Sequence, residues 1–288
     1  MDGTDRGMKQ GVFWLACGLI LVSVACSKQD AGRVVILGTT TSVGNSGLLE
    51  VLLPAFEQVS GARVRGHLVG SGRALRMLER GQADVVISHA PEMEAKFLEA
   101  HPEWSYRKLM YNDFLLVGPL DDPAAVLSAP SIEAAIRRIV EGRARFVSRG
   151  DESGTHTRER QLLTLAGVTL PVEQVVVTGQ GMSRTLRIAS AIGAYTLTDA
   201  TTFARVGDTV DLQPVFQGGP RLLNAYAVLM DASDPHDDSR ALAASLFQWL
   251  ADGGGRELIA SFRVSSAATG FVVWPTDRPR DQPSALPF

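Results

Sequence analysis

RARFVSRGDESGTHTRERQLLTLAG, residues 143–167, divides into three parts. Residues 143–150 read as a strand with an apolar centre, and 157–167 as a helix stopped by Gly167. Between them, residues 148–156 (SRGDESGTH) form a turn of small and polar side chains. A strand that ends in such a cluster and feeds a helix is the building unit of an open α/β sheet. In these sheets ligands settle at the carboxyl ends of the strands. Helix N-termini there expose unpaired N–H groups and a positive dipole end, which suits an oxyanion.

The same unit recurs outward in both directions. RVVILGTT (33–40) reads as a buried strand that leads into TTTS (39–42) and a helix over residues 47–59, with Pro54 at a bend. ARVRGHLVG (62–70) and ADVVISHA (83–90) are strands, separated by the helix SGRALRMLERG (71–81). Beyond FLLVGPLDDP (114–123) come a helix at 132–142, strands at 172–179 and 193–199, and a helix at 183–193 between them. RLLNAYAVLM (221–230) returns as a strand, and 239–255 form the last strong helix before a Pro-rich tail. Alternating strands and helices predict right-handed crossovers and mainly parallel sheets flanked by helices. Five polar clusters at strand ends, spread over two α/β units, predict a ligand enclosed between two lobes. The boundaries expected are 33–117 together with 222–288 for lobe one and 118–221 for lobe two, with crossings near 114–119 and 220–228.

The clusters define the chemistry. Residues 39–42 carry four consecutive hydroxyls, more than a helix cap needs, so Thr40, Thr41 and Ser42 are expected at the ligand. In SRGDESGTH, Arg149 offers a planar guanidinium fork that Asp151 can hold in place. Ser153 and Thr155 add hydroxyls at a helix start, and Gly154 permits close approach of the backbone. The plain alternative for this turn is a surface salt bridge beside an ordinary cap. Ser71 opens another helix as a further donor, and the GQG loop makes Gly181 a backbone donor or hinge. His89 ends a strand next to the cleft and is expected to support the site. Catalytic templates do not match. GDESG has its serine one place late for a nucleophile elbow, and no Walker loop or dinucleotide fingerprint occurs. The reading therefore expects no catalytic residue and no cofactor, and the lack of clustered Cys and His argues against a protein-ligated metal.

Composition narrows the partners. With 28 basic and 31 acidic residues the net charge is −3, which argues against a nucleic-acid coat. An anionic ligand must then be drawn in by a local site and not by the global field. Residues 12–25 (VFWLACGLILVSVA) are uncharged and too short for a bilayer span of ~20 residues. They read as the apolar core of a secretory signal peptide covering residues 1–25. Cys26 follows Val24 and Ala25 as in a bacterial lipobox, although Ser23 stands where Leu is commonest. The expectation is an exported chain acylated at Cys26, with 26–32 as a tether to the membrane. Cys17 would leave with the leader, so no intrachain disulfide is expected.

Taken in order, TTTS, GSG, SHAPE, YNDFLLVGP, FVSRGDESGTH, TGQGM, TLRIA, GAYTLTD and PRLLNAYAV resemble the tungstate-binding proteins of bacterial ABC importers, across about residues 34–275. SRGDESGTH by itself also resembles the R-x-D-x-S-G-T stretch of phosphate-binding proteins. The resemblance implies a two-lobed type II periplasmic-binding-protein fold with the ligand in the interlobe cleft. It places Arg149, Ser153 and Thr155 at a tetrahedral oxyanion, with Thr41 or its neighbours opposite. It implies a permease and its ATPase subunits as partners. The chain departs from the family pattern at Ala200, where Arg is usual, at Asn45, where an acid is usual, and from Val264 onward. The same donors could serve phosphate, molybdate or sulfate, and a hydrolase or a sensory lipoprotein would be a different kind of function altogether. Protonation separates some of the anions, since phosphate favours a carboxylate acceptor while tungstate and sulfate need donors only.

Overall fold

The computed structural model describes residues 34–151, 153–233, 238–264 and 270–283, all within the compact unit Gly32–Phe288. The leader, the tether and Cys26 lie outside the described residues. β1 (Val34–Thr40) leads through α1 (Thr41–Ser46) and α2 (Leu48–Ser60) to β2 (Arg63–Val69). α3 (Ser71–Glu79), β3 (Val85–Ser88), α4 (Pro91–Ala100) and the long β4 (Trp104–Pro119) follow. Next come α5 (Ile132–Glu141), β5 (Phe146–Ser148), α6 (Gly154–Ala166), β6 (Val175–Val177) and α7 (Met182–Ala191). The chain continues through β7 (Thr196–Asp199), α8 (Ala200–Val206), β8 (Leu212–Gln217) and β9 (Leu223–Asp231). It closes with α9 (Asp238–Asp252), α10 (Gly254–Ser261) and β10 (Val272–Val273).

The fold is α/β, as the alternation predicts. β1 lies parallel to β2 and β3, and β5 lies parallel to β6. The remaining pairs are antiparallel, so the sheets are mixed and not mainly parallel as the alternation predicts. β9 returns between β3 and β4, and β7, β8 and β10 run against β4. β4 has 16 residues, about 50 Å of extended chain at ~3.3 Å per residue, which is longer than one sheet usually needs. It is shared: its first part, 104–113, pairs with β9, and its last part, 114–119, pairs with β7 and β8. A simple strand–helix reading misses this, since the antiparallel partners are far apart in sequence.

Cores lie on both faces of each part. Leu37, Leu52, Phe56, Val228 and Phe247 fill one face of the β1 sheet, and Leu75, Val86, Trp104 and Leu229 fill the other. Around the far end of β4, Phe114, Leu116, Ile136 and Leu162 form one core, and Val117, Val147, Met182 and Leu186 another. Each large apolar side chain buried this way contributes about 1.5–3 kcal/mol. α2 runs unbroken through Pro54, whereas the sequence suggested a bend there. α4, α8, β8 and α10 are not evident from the sequence. In α4 only Glu94 is fully buried, so the helix carries no clear apolar stripe. β8 holds Pro214 opposite Val117, beside a register shift, which is where a strand tolerates proline.

Candidate functional site

β5 delivers Arg149 into a turn that five backbone and side-chain contacts hold in place. The Ser148 hydroxyl donates to Glu159 Oε1 at 2.6 Å, and the Arg149 carbonyl accepts from Gly179 N–H at 2.8 Å. The Arg149 guanidinium pairs with Asp151 Oδ2, while Asp151 Oδ1 accepts from Ser153 N–H at 3.2 Å. Ser153 caps α6 by accepting from His156 N–H at 3.2 Å. A capping hydroxyl still has its own proton to donate, so this role leaves Ser153 able to bind an oxyanion. Arg149 and Thr155 are closed off from solvent, yet Arg149 Nε and Thr155 Oγ1 have no hydrogen-bond partner among the described residues. More than nine in ten buried polar groups are partnered, so orphaned donors in one turn call for an explanation.

The turns at the ends of β2 and β3 press against this one. A Cβ placed on Gly70, just ahead of α3, would lie 3.6 Å from Ser153 Cα. Ser71 is fully buried, and its hydroxyl accepts from His89 N–H at 3.2 Å. Gly154 meets His89 so closely that an added Cβ would sit 2.7 Å from the His89 carbonyl oxygen and 2.5 Å from its ring. The sequence suggested that Gly154 admits a ligand to the backbone; the close neighbour in the structure is His89. His89 stacks on Tyr226, with ring centroids 4.8 Å apart, and Ser42 interacts with the Tyr226 hydroxyl. Contacts therefore run from Ser42 through Tyr226 and His89 to Gly154.

Among residues 39–42 the roles differ. Thr40 caps α1, accepting from Val43 N–H at 3.3 Å. Thr41 is half-buried on the first turn of α1. Thr39 Oγ1 and Ser42 Oγ are buried without a well-formed hydrogen bond. Gly181 caps α7, which touches α1, but nothing lies within 4 Å of where its Cβ would be. The structure thus joins Ser71, His89, Arg149, Asp151, Ser153 and Gly154 directly. Thr40, Thr41, Ser42 and Gly181 reach them through neighbouring elements.

A buried polar chain behind these residues escapes sequence reasoning. His89 Nδ1 lies 2.8 Å from Asn224 Oδ1, Asn224 Nδ2 donates to Asn112 Oδ1 at 2.8 Å, and Asn112 Nδ2 donates to Thr201 Oγ1 at 3.2 Å. Thr201 in turn donates to Asp199 Oδ1 at 2.6 Å. Since Asn224 offers its oxygen, the proton of neutral His89 sits on Nδ1, and every donor in the chain points toward the Asp199 carboxylate. Asn112 and Asn224 are opposite one another on the β4–β9 ladder. The only signal in the sequence was an asparagine inside each of two apolar strands.

Two buried groups here titrate in opposing senses. Burial pulls the His89 imidazole down to about 4, outweighing the hydrogen bond to Asn224. Burial pushes the Glu159 carboxyl up to about 7, against hydrogen bonds from the Ser148 hydroxyl and the Arg149 backbone. Between about pH 4 and 6.5 the unfolded chain binds the His89 proton and the folded one does not, so this group makes stability rise with pH. Between 4.5 and about 7 the folded chain alone keeps the Glu159 proton, so that group makes stability fall. The two slopes cancel over the shared window. Glu159→Gln removes the falling one, and its urea-unfolding free energy is expected to climb by about 2 kcal/mol from pH 5 to 6.5 relative to the parent. A difference that stays flat with pH would refute the opposition.

Known proteins resemble this chain over most of its length. The PBP superfamily domain matches residues 27–253. A tungstate-binding protein TupA from Peptoclostridium acidaminophilum is 35% identical over 238 residues, covering 82% of this chain and 83% of the relative. A putative ABC transporter anion-binding protein from Haloferax volcanii is 36% identical over 251 residues, covering 85% and 73%. The crystal structure of the tungstate ABC transporter from Geobacter sulfurreducens superposes with a TM-score of 0.70 at 37% identity, covering 80% of this chain and 99% of that one.

Proposed function

The chain belongs to the PBP superfamily, and on that premise we propose that it is the solute-binding component of an ABC-type importer that captures a tetrahedral oxyanion, tungstate foremost. The observation that carries this reading is the pair of orphaned donors, Arg149 Nε and Thr155 Oγ1, buried in one turn at the start of α6. A doubly charged oxyanion supplies the missing acceptors. Arg149 provides fixed charge, Ser153 and Thr155 provide hydroxyls beside the α6 N-terminus, and Ser71, Thr40, Thr41, Ser42 and Gly181 complete the surround. Asp151 and His89 act as supports.

Among the described residues, the carboxylates nearby are already engaged. Asp151 holds Arg149 and Ser153 N–H, Glu159 accepts from Ser148, and Asp199 accepts from Thr201 and Thr202. A ligand carrying a proton would find no obvious acceptor, which disfavours phosphate. Tungstate is expected to bind most tightly, with molybdate next and sulfate and phosphate well behind. Calorimetry against these four anions tests this, and a phosphate affinity equal to that for tungstate would overturn it.

Because Arg149 and Thr155 are shut off from solvent, the anion enters by separation of two lobes, 33–117 with 222–288 and 118–221, about β4 and β9. No catalytic step belongs to this reading. Export by residues 1–25 and acylation of Cys26 would hold the protein at the membrane, in the periplasm or on the cell surface, within reach of the permease and its ATPase subunits. Among the described residues no helix is long and apolar enough to cross a membrane. An unmodified Cys26 in the mass spectrum of membrane-extracted protein would remove the lipid anchor from this account.

A further inference from the structure

An open groove of about 790 Å³ lies beside the site, and the residues assigned above to the anion do not line it. One wall comes from α3 and α4, with Arg76, Glu92 and Lys96. The other comes from α6, with Arg158 and Arg160, and Arg221 ahead of β9 completes it. These are five cations and one carboxylate, in a chain whose net charge is −3. Glu133 partly offsets Arg221 from 3.6 Å. Burial holds the Arg158 guanidinium below its ordinary pKa, Glu92 opposes that shift, and Arg221 adds to it. Positive charge is therefore crowded at this groove.

The groove is continuous with the site. A narrow crevice shares Glu92 and Arg158 with it and is lined further in by His89, Gly154 and Asn224. A second opening of about 290 Å³ shares Arg76 with it and reaches Gly70 and Asp151. The groove thus opens onto both flanks of the Ser153–Gly154 turn.

We propose that this groove is a collecting vestibule, in which a dianionic tetrahedral oxyanion is concentrated before it passes to Arg149. The proposal rests on the anion-binding reading above and adds to it the path of approach. The groove is far roomier than one tetrahedral anion requires, so the ligand stays hydrated there. Exposed charge pairs add little net affinity. What a like-charged cleft changes is the rate of encounter, by about 10- to 1,000-fold at low salt. The chain's overall negative charge makes a local field of this kind the means by which an anion arrives quickly.

Stopped-flow association with tungstate tests this in three proteins: the parent, the double reversal Lys96→Glu/Arg160→Glu, and a control reversal Arg63→Glu/Arg65→Glu. All four residues are exposed. The control lies on β2, with Arg63 at the end of the strand away from the site, and changes net charge by the same amount. At about 10 mM salt, where charges act over ~30 Å, the groove variant is expected to associate about 10-fold more slowly than the parent. The control should stay within about twofold, and dissociation rates should be alike in all three. Near 1 M salt, where screening leaves ~3 Å, the association rates should converge. Equal slowing in both variants would overturn the vestibule in favour of net charge. So would a loss confined to dissociation. A groove variant with the parent's association rate but no longer captured by the permease would overturn it in favour of an acidic protein partner. Absence of tungstate binding by the parent in calorimetry would instead bring down the underlying anion reading.

Discussion

Arg149→Ala is expected to weaken tungstate binding by about thirty- to several-thousand-fold. The side chain is 3% exposed, and its guanidinium is anchored on one side by Asp151. Its Nε is buried without a partner among the described residues. Removing one member of a buried charged contact costs about 2–5 kcal/mol, and each ~1.4 kcal/mol is a decade in affinity. The substitution leaves Asp151 behind, but that carboxylate is 20% exposed and also accepts from Ser153 N–H. It can rehydrate, so the ligand-free melting temperature should change little. The rise in melting temperature on adding tungstate should largely vanish, since that rise follows ligand affinity. Arg149→Lys should recover only part of the loss, because an ammonium cannot point one donor at Asp151 and another at the anion in a planar fork. Binding within twofold of the parent in Arg149→Ala would reduce Arg149–Asp151 to a salt bridge that braces the turn.

Local grammar in the sequence carried much of this. Strand, polar cluster and helix follow one another within some 25 residues at 143–167, so the Arg149 turn and the left-handed glycine stop at Gly167 were legible. Two-sided relationships were not. β4 joins two sets of strands whose members lie as much as 163 positions away, as in the Met110–Val273 pair. Asn112 and Asn224 look like isolated polar residues until the ladder sets them face to face. Only then does the hydrogen-bonded run from His89 to Asp199 exist. The hydroxyl cluster at 39–42 was legible as a group, but not its division of labour. Thr40 is the residue whose oxygen meets the orphan N–H of Val43, while Thr39 and Ser42 point their hydroxyls into the buried region. Composition cannot express that difference, because it depends on which way each Cβ leaves the strand end. The cationic groove was equally hidden, being assembled from α3, α4, α6 and the approach to β9 in a chain whose summed charge is negative.

Gly154→Ala should lower tungstate affinity by about a hundredfold or more while leaving each lobe folded. The added methyl would come within 2.7 Å of the His89 carbonyl oxygen and 2.5–2.6 Å of two ring atoms. The ring has little room to retreat, for it is stacked on Tyr226 and hydrogen-bonded to Asn224, both buried. The carbonyl belongs to the backbone just past β3 and can withdraw only if α6 moves away from it. Overpacking of this kind costs about 1–3 kcal/mol, and a clash with backbone belongs at the upper end, which is roughly a hundredfold in affinity. In the lobe assignment proposed above, Gly154 and His89 lie on opposite sides of the cleft. The strain then falls on the closed form alone. Small-angle scattering should show the parent contracting with tungstate and the variant remaining extended at concentrations that saturate the parent. Unfolding without ligand, followed by circular dichroism, should stay close to that of the parent. A variant that closes and binds as the parent does would place the hinge elsewhere. One that loses its ligand-free stability would mean that Gly154 and His89 belong to a single rigid body, and the lobe boundary would have to be redrawn.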